Sequence, residues 1–128
     1  MKLSFIDIDL NKGKPKATIH FSGKLGFNME AIEYMNLKNQ ESFLIAKDEE
    51  KEGVFYLVKS GDVKGAAKIA KAGAYYYLNV GDAFEKLNYD FKGYTIMFNI
   101  SKDSYDGKEL YVLSKYRETK RKNKNDNN

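Results

Sequence analysis

The chain contains no cysteine, so disulfides, zinc–thiolate sites and thiol nucleophiles are excluded. Its single histidine, His20, excludes a multi-histidine metal site. No apolar run approaches the roughly 20 residues of a membrane helix. The opening stretch, Met1 to Lys16, carries Asp7, Asp9 and four lysines and has no apolar signal core, which leads us to expect a cytoplasmic protein without a membrane partner. Arginine is also scarce: only Arg117 and Arg121 accompany 20 lysines. Lysine acts as a point charge, whereas the arginine fork makes the bidentate contact to guanine that dominates major-groove reading. Any nucleic-acid contact by the body of the chain is therefore expected at phosphates rather than at base edges.

What is present is ordinary globular composition. The 128 residues, 42% hydrophobic and 31% charged, suit one compact domain able to bury a core without staples. The net charge of +4 sits mostly at the ends. From Arg117 to Asn128, five basic residues stand against Glu118 and Asp126, leaving residues 17–116 near neutral.

Self-comparison reveals an internal pattern. Ala31-Ile32-Glu33-Tyr34-Met35-Asn36-Leu37 matches Ala83-Phe84-Glu85-Lys86-Leu87-Asn88-Tyr89 as Ala, apolar, Glu, any, apolar, Asn, apolar. Similar features flank both copies in the same order: Gly26-Phe27-Asn28 and Tyr77-Leu78-Asn79 before, Phe43-Leu44-Ile45 and Thr95-Ile96-Met97 after. In the first copy, Ala17 to Phe21 reads as a strand. Asn28 reads as a helix N-cap, Met29 to Met35 as the helix, and Asn36 as a left-handed stop. Ser42 to Ala46 and Val54 to Lys59 read as a hairpin. In the second copy, Ala67 to Leu78 reads as a strand, with Asn79 or Asp82 capping a helix through Leu87. Lys92 to Ser101 and Lys108 to Tyr116 form the hairpin around a Lys102–Gly107 turn. Leu3 to Leu10 alternates like an additional strand.

The expected fold is mostly β, a β-rich α+β arrangement. Two strand–short helix–β-hairpin units would pack around a pseudo-two-fold axis into a barrel-like or sandwiched single domain. The expected organisation is an N-terminal strand and turn over 1–16, one unit over 17–60, a second over 61–116, and a disordered basic tail over 117–128.

This pattern resembles the swapped-hairpin fold of the AbrB/SpoVT and MazE type. Gly23-Lys24-Leu25-Gly26-Phe27-Asn28 stands at the family's glycine–basic–apolar step, Ala31 to Leu37 at its helix and exit, and Asp48-Glu49-Glu50 at its acidic turn. The resemblance covers residues 18–59 and, more loosely, 68–115. It implies the fold and, for a family of transition-state regulators and antitoxins, DNA binding. The chain departs from the family in having Asn28 where proline is usual, no arginine in its body, and both units in one chain.

Candidate binding residues follow from charge and aromaticity. Lys59, Lys64, Lys68 and Lys71 surround small residues that permit close backbone approach to phosphate; the same stretch also reads as a lysine-solubilised linker. Tyr75 and Tyr77 share one strand face and offer stacking surfaces for single-stranded bases, although strands favour tyrosine without any such role. Lys24 lies between Gly23 and Gly26, which read as a turn or bulge. Arg117, Lys120, Arg121, Lys122 and Lys124 would form an electrostatic arm. His20, the Asp7 and Asp9 pair, and the Asp48–Glu52 turn have no companion groups that make catalysis or metal binding the better reading. The sequence thus implies no enzyme and no cofactor. It suggests a DNA- or RNA-binding protein, or alternatively a structural or protein–protein interaction module with exposed Tyr and Phe, self-associating or bound to another protein.

Overall fold

The computed structural model describes residues 1–6 and 13–122. Among them, nine strands form one antiparallel sheet that curls into a nearly closed barrel, accompanied by two short helices. The chain order is β1 (Lys16–Ile19), β2 (Lys24–Phe27), α1 (Met29–Met35), β3 (Ser42–Lys47), β4 (Val54–Ser60), β5 (Ala67–Lys68), β6 (Ala70–Ala72), β7 (Tyr75–Asn79), α2 (Gly81–Lys86), β8 (Tyr94–Tyr105) and β9 (Lys108–Lys120). A hairpin, a helix and a hairpin thus succeed one another twice, joined by the short β5.

The strands are ordered β5-β3-β4-β9-β8-β1-β2-β7-β6. The two ends of this order, β5 and β6, are consecutive in the chain and separated only by Ile69. Ile69 is fully buried; its N–H donates to Glu41 O and its carbonyl accepts from Gln40 N. One bent segment therefore reaches β3 on one side and β7 on the other, which all but closes the sheet.

Period-two alternation explains the interior. Ala17 and Ile19 of β1, Leu25 and Phe27 of β2, Phe55 and Leu57 of β4, and Ile96, Phe98 and Ile100 of β8 are buried and point inward. Phe55 sits edge-on to Phe84 of α2 and Phe98 of β8, with ring centroids 5.1 and 5.0 Å apart. Such T-shaped contacts favour the electropositive ring edge against the electronegative face. Asn28 caps α1 as expected: its Oδ1 accepts from Ala31 N at 2.8 Å and also from Lys16 N at 3.0 Å, tying helix start to β1. Asn36 ends α1 in the left-handed conformation, φ 50°.

Several elements differ from the sequence expectation, each for a local reason. Leu3 to Ile6 form no strand, and the remainder of the expected Leu3–Leu10 strand lies outside the described residues. Lys24 to Gly26 are strand rather than bulge; the tight turn precedes them, where Gly23 N donates to His20 O with Gly23 at φ +84°. The expected long strand from Ala67 breaks at Ile69 and again at a turn holding Gly73 at φ +64°. Neither Asn79 nor Asp82 caps α2. The helix starts after Val80 with no side-chain cap, because Val80 N donates to Gly23 O and Gly81 packs backbone to backbone on Gly23. The β8–β9 turn shrinks to Asp106-Gly107, both at positive φ, which is the two-residue geometry matched to strand twist. The tail expected to be disordered from Arg117 continues instead as β9 to Lys120, paired with Tyr94–Met97.

Candidate nucleic-acid interface

Alternation that buries one side of each strand exposes the other. Across β9, β8, β1, β2, β7 and β6 the outward residues line up in rows. Lys24 stands opposite Asn79, and Thr18 opposite Gly26, which faces Tyr77. Thr18 also faces Met97, which faces Arg117; Lys16 faces Asn99, which faces Ser114; Thr95 faces Thr119. Across β1, β2, β6, β7, the Tyr94–Asn99 part of β8 and the part of β9 paired with it, the described outward positions are Lys16, Lys24 and Arg117, three tyrosines (Tyr75, Tyr77 and Tyr116), Met97 and small, neutral residues, none of them acidic. Farther along β8, Asp103 is an outward carboxylate opposite Leu110.

Tyr75 and Tyr77 stack with centroids 5.6 Å apart and an interplanar angle of 26°. Gly26 makes this possible. A Cβ there would fall on the Tyr75 hydroxyl and lie 2.6 Å from Cζ and 2.8 Å from Cε2, so the ring lies directly across the glycine. Burial and the neighbouring Tyr77 hold the Tyr75 phenol above its ordinary pKa. Lys24 Nζ lies 4.7 Å from the Tyr77 ring centroid, and Lys16 Nζ lies 4.8 Å from that of Tyr116. Tyr116 reaches this face because a register shift between Met97 and Phe98 inserts an extra residue in β9. Its hydroxyl approaches Met97 Sδ at 3.7 Å. Beside Tyr75 a shallow groove of about 570 Å³ runs between Thr18, Gly26, Ala72 and the first turn of α1 at Met29.

The other sequence candidates are dispersed. Lys59 lies on the core-facing side of β4 and pairs with Glu41 at 3.5 Å, while Lys68 pairs with Asp62 at 3.2 Å. Lys71 covers the ring of Tyr76 at 5.6 Å, on the side of the sheet opposite Tyr75 and Tyr77. Lys64 is exposed in the β4–β5 connection. The expected lysine cluster is thus divided by ion pairs and by strand alternation. Lys120 is exposed at the end of β9, opposite Tyr94, and Lys122 is exposed just beyond it. Lys124 lies outside the described residues.

Arg121 corrects the arm reading most directly. Its guanidinium donates to Phe91 O at 3.0 Å, to Thr95 Oγ1 at 2.9 Å and, at 3.4 Å, to Ile19 O. It also lies 6.0 Å from the centroid of Phe21. Arginine's fixed fork of donors suits this clasp across three segments, so its charge is used to hold β9 against the barrel. Partial burial, followed by the nearby Arg121, lowers the pKa of His20.

A second cavity, about 320 Å³, lies between the β3–β4 loop and the end of α2. Its lysines Lys47, Lys51, Lys86 and Lys115 are interleaved with Asp48, Glu52 and Glu118, and Lys115 pairs with Glu118 at 3.1 Å. Tyr89 lines it, its phenol pushed up to about 12 by burial and by Glu118. Mixed charge of this kind gives no single sign of field.

Sequence reasoning missed Lys16, Tyr116 and Met97. The alternation of Lys16-Ala17-Thr18-Ile19 carried the signal for Lys16. No sequence signal marks Tyr116, whose orientation depends on the bulge. Among the described residues no helix is long and apolar enough to cross a membrane. No family model, curated protein or solved structure matches the chain.

Proposed function

We propose that the chain is a small, non-catalytic, cytoplasmic nucleic-acid-binding protein whose ligand is an unpaired strand lying across the outer face of β2, β7, β1, β8 and β9. The observation that carries this reading is the combination of three cations and three tyrosines on the face formed by β1, β2, β7, the Tyr94–Asn99 part of β8 and the part of β9 paired with it, where no described outward position is a carboxylate; the nearest acidic outward position, Asp103, lies farther along β8. Lys16 and Lys24 rest on tyrosine rings, an interaction worth about 0.5–1 kcal/mol at exposed sites. A phosphate can recruit them readily, and the rings they leave become stacking surfaces for bases. Stacking needs unpaired bases, and each stack contributes about 1–3 kcal/mol. Arg117 extends the positive track onto β9.

The same proposal includes internal duplication with a swapped-hairpin architecture. Exchanging β1, β2, β3 and β4 for β6, β7, β8 and β9 leaves most strand pairings unchanged, and the remaining one, β1 with β8, maps onto the seam where β5 joins β3. This pairing symmetry supports the reading of two equivalent units within one chain.

Fluorescence anisotropy with labelled single- and double-stranded DNA and RNA, at about 50 and 200 mM salt, tests the proposal. We expect single-strand binding that falls by at least about tenfold over that range and by a further tenfold or more in Tyr75→Ala with Tyr77→Ala. Absence of binding at the lower salt overturns it, and preference for duplex overturns the stacking mechanism.

A further inference from the structure

Among the described residues, the barrel has one seam that no strand fills. β3 pairs with β4 along its whole length, from Ser42 to Lys47, but with β5 only at Ser42 and Phe43. Among the described residues, Leu44, Ile45, Ala46 and Lys47 therefore have a strand on one side only. An edge of this kind presents N–H and C=O groups ready to pair. The outer face beside that edge is apolar: Leu44 faces Val58, Ala46 faces Tyr56, and Tyr56 faces Val112.

The same chain carries a segment that pairs with no strand among the described residues. Met1 to Ile6 forms no strand, yet Leu3 is 72% exposed and Phe5 and Ile6 are each 91% exposed. Phe and Ile are residues that strands favour, and such exposure means that the segment buries little of its apolar surface on its own barrel. In a strand, Met1, Leu3 and Phe5 would share one face and Lys2, Ser4 and Ile6 the other.

We infer that Met1–Ile6 of a second copy of this chain adds as a strand to the free edge of β3, laying Leu3 and Phe5 beside Leu44 and Ala46 and completing the outer apolar face. β1, into which the segment leads, stands on the opposite side of the barrel from β3, four places away in the strand order. A second copy meets the edge without such wrapping. Two copies that exchange segments reciprocally form a closed, isologous pair, so both edges are covered and no open-ended assembly results. The strands used are β3 and its neighbour β4, which leaves the face of Tyr75, Tyr77 and Lys24 uncovered.

The absence of cysteine permits a clean crosslinking test on the full chain. Phe5→Cys protein is mixed with Leu44→Cys protein and oxidised, and the products are sized. The expected result is a disulfide joining one chain of each kind. Sedimentation of the unmodified chain should show a concentration-dependent dimer, weakened at least about tenfold by Leu3→Asp with Phe5→Asp. Both positions are exposed, and a circular dichroism spectrum like that of the parent establishes that the variant folds. A single chain carrying Phe5→Cys and Leu44→Cys that closes only on itself overturns the inference. So does a full chain that stays monomeric at every concentration, or a dimer untouched by the aspartates.

Discussion

Gly26→Ala separates the outer face from the stability of the barrel. Gly26 has no positive φ, so alanine meets no backbone obstacle in β2. Alanine in a strand is favoured over glycine by about 0.5–1 kcal/mol, because glycine loses more freedom on folding. Against this, the new Cβ would overlap the Tyr75 hydroxyl and come within 2.6 Å of Cζ, so the ring must swing away. Tyr75 then loses its stack with Tyr77, about 0.5–1.5 kcal/mol for an aromatic pair. The two effects nearly cancel. Net stability should change by less than about 1 kcal/mol, or about 4 °C in Tm for a domain of this size.

Binding should respond quite differently. One lost stacking surface is worth about 1–3 kcal/mol, so affinity for a single strand should fall by about five- to 150-fold at fixed salt. The Tyr75 phenol, released from burial and from Tyr77, should titrate at lower pH than in the parent, readable by ultraviolet absorbance. The assays are thermal denaturation, anisotropy and this titration on one variant. Unchanged binding with a displaced Tyr75 refutes the stacking mechanism. A Tm loss of more than about 10 °C refutes the claim that only the tip of a side chain has to move.

Arg121→Ala should cost about 1–3 kcal/mol in chemical denaturation, because the Phe91 and Ile19 carbonyls lose a charged donor. It should also raise the depressed pKa of His20, seen by NMR titration. In the parent, His20 has a folded pKa below its unfolded value, so its contribution to stability is present above about pH 6.5 and declines as pH falls through that region, where the unfolded chain binds the proton first. Asn28→Ala should cost about 1–2 kcal/mol, since one side-chain oxygen serves both Ala31 N and Lys16 N; Asn28→Asp, which keeps the acceptor, should cost less. Tyr56→Phe removes the hydroxyl that donates to Asp48 and holds its carboxyl below the usual range, so the Asp48 carboxyl should titrate at higher pH by NMR.

Local chemistry made part of this molecule readable from sequence, and long-range pairing decided the rest. The Asn28 cap and Asn36 stop of α1 and the opposed faces of Tyr75 and Tyr76 are set within a few residues. They were accessible from residue type and spacing alone. The course of Arg117 to Arg121 was not. That stretch is polar and without periodicity, and it becomes strand because Tyr94–Met97 supplies a ladder and because Arg121 finds three acceptors on residues distant in sequence. Likewise Lys59 and Lys71 look equivalent in sequence. One faces Glu41 because β4 pairs with the start of β3, and the other faces Tyr76 because β6 pairs with β7.

These long-range choices also separate the two proposed surfaces. The β1–β2–β7 side carries lysines resting on tyrosines, with no carboxylate at its described outward positions; the β3–β4 side carries Leu44, Ala46, Tyr56 and Val58, with the Asp48 carboxylate held on the Tyr56 hydroxyl. In a sheet that nearly closes, an outward residue on one side cannot take part in a contact on the other. Tyr75→Ala with Tyr77→Ala should therefore leave self-association unchanged, and Leu3→Asp with Phe5→Asp should leave the intrinsic affinity of each barrel for a strand unchanged. If either pair of substitutions disturbs both measurements while the fold is intact, the two surfaces are coupled, and the assignment of separate faces by strand alternation fails.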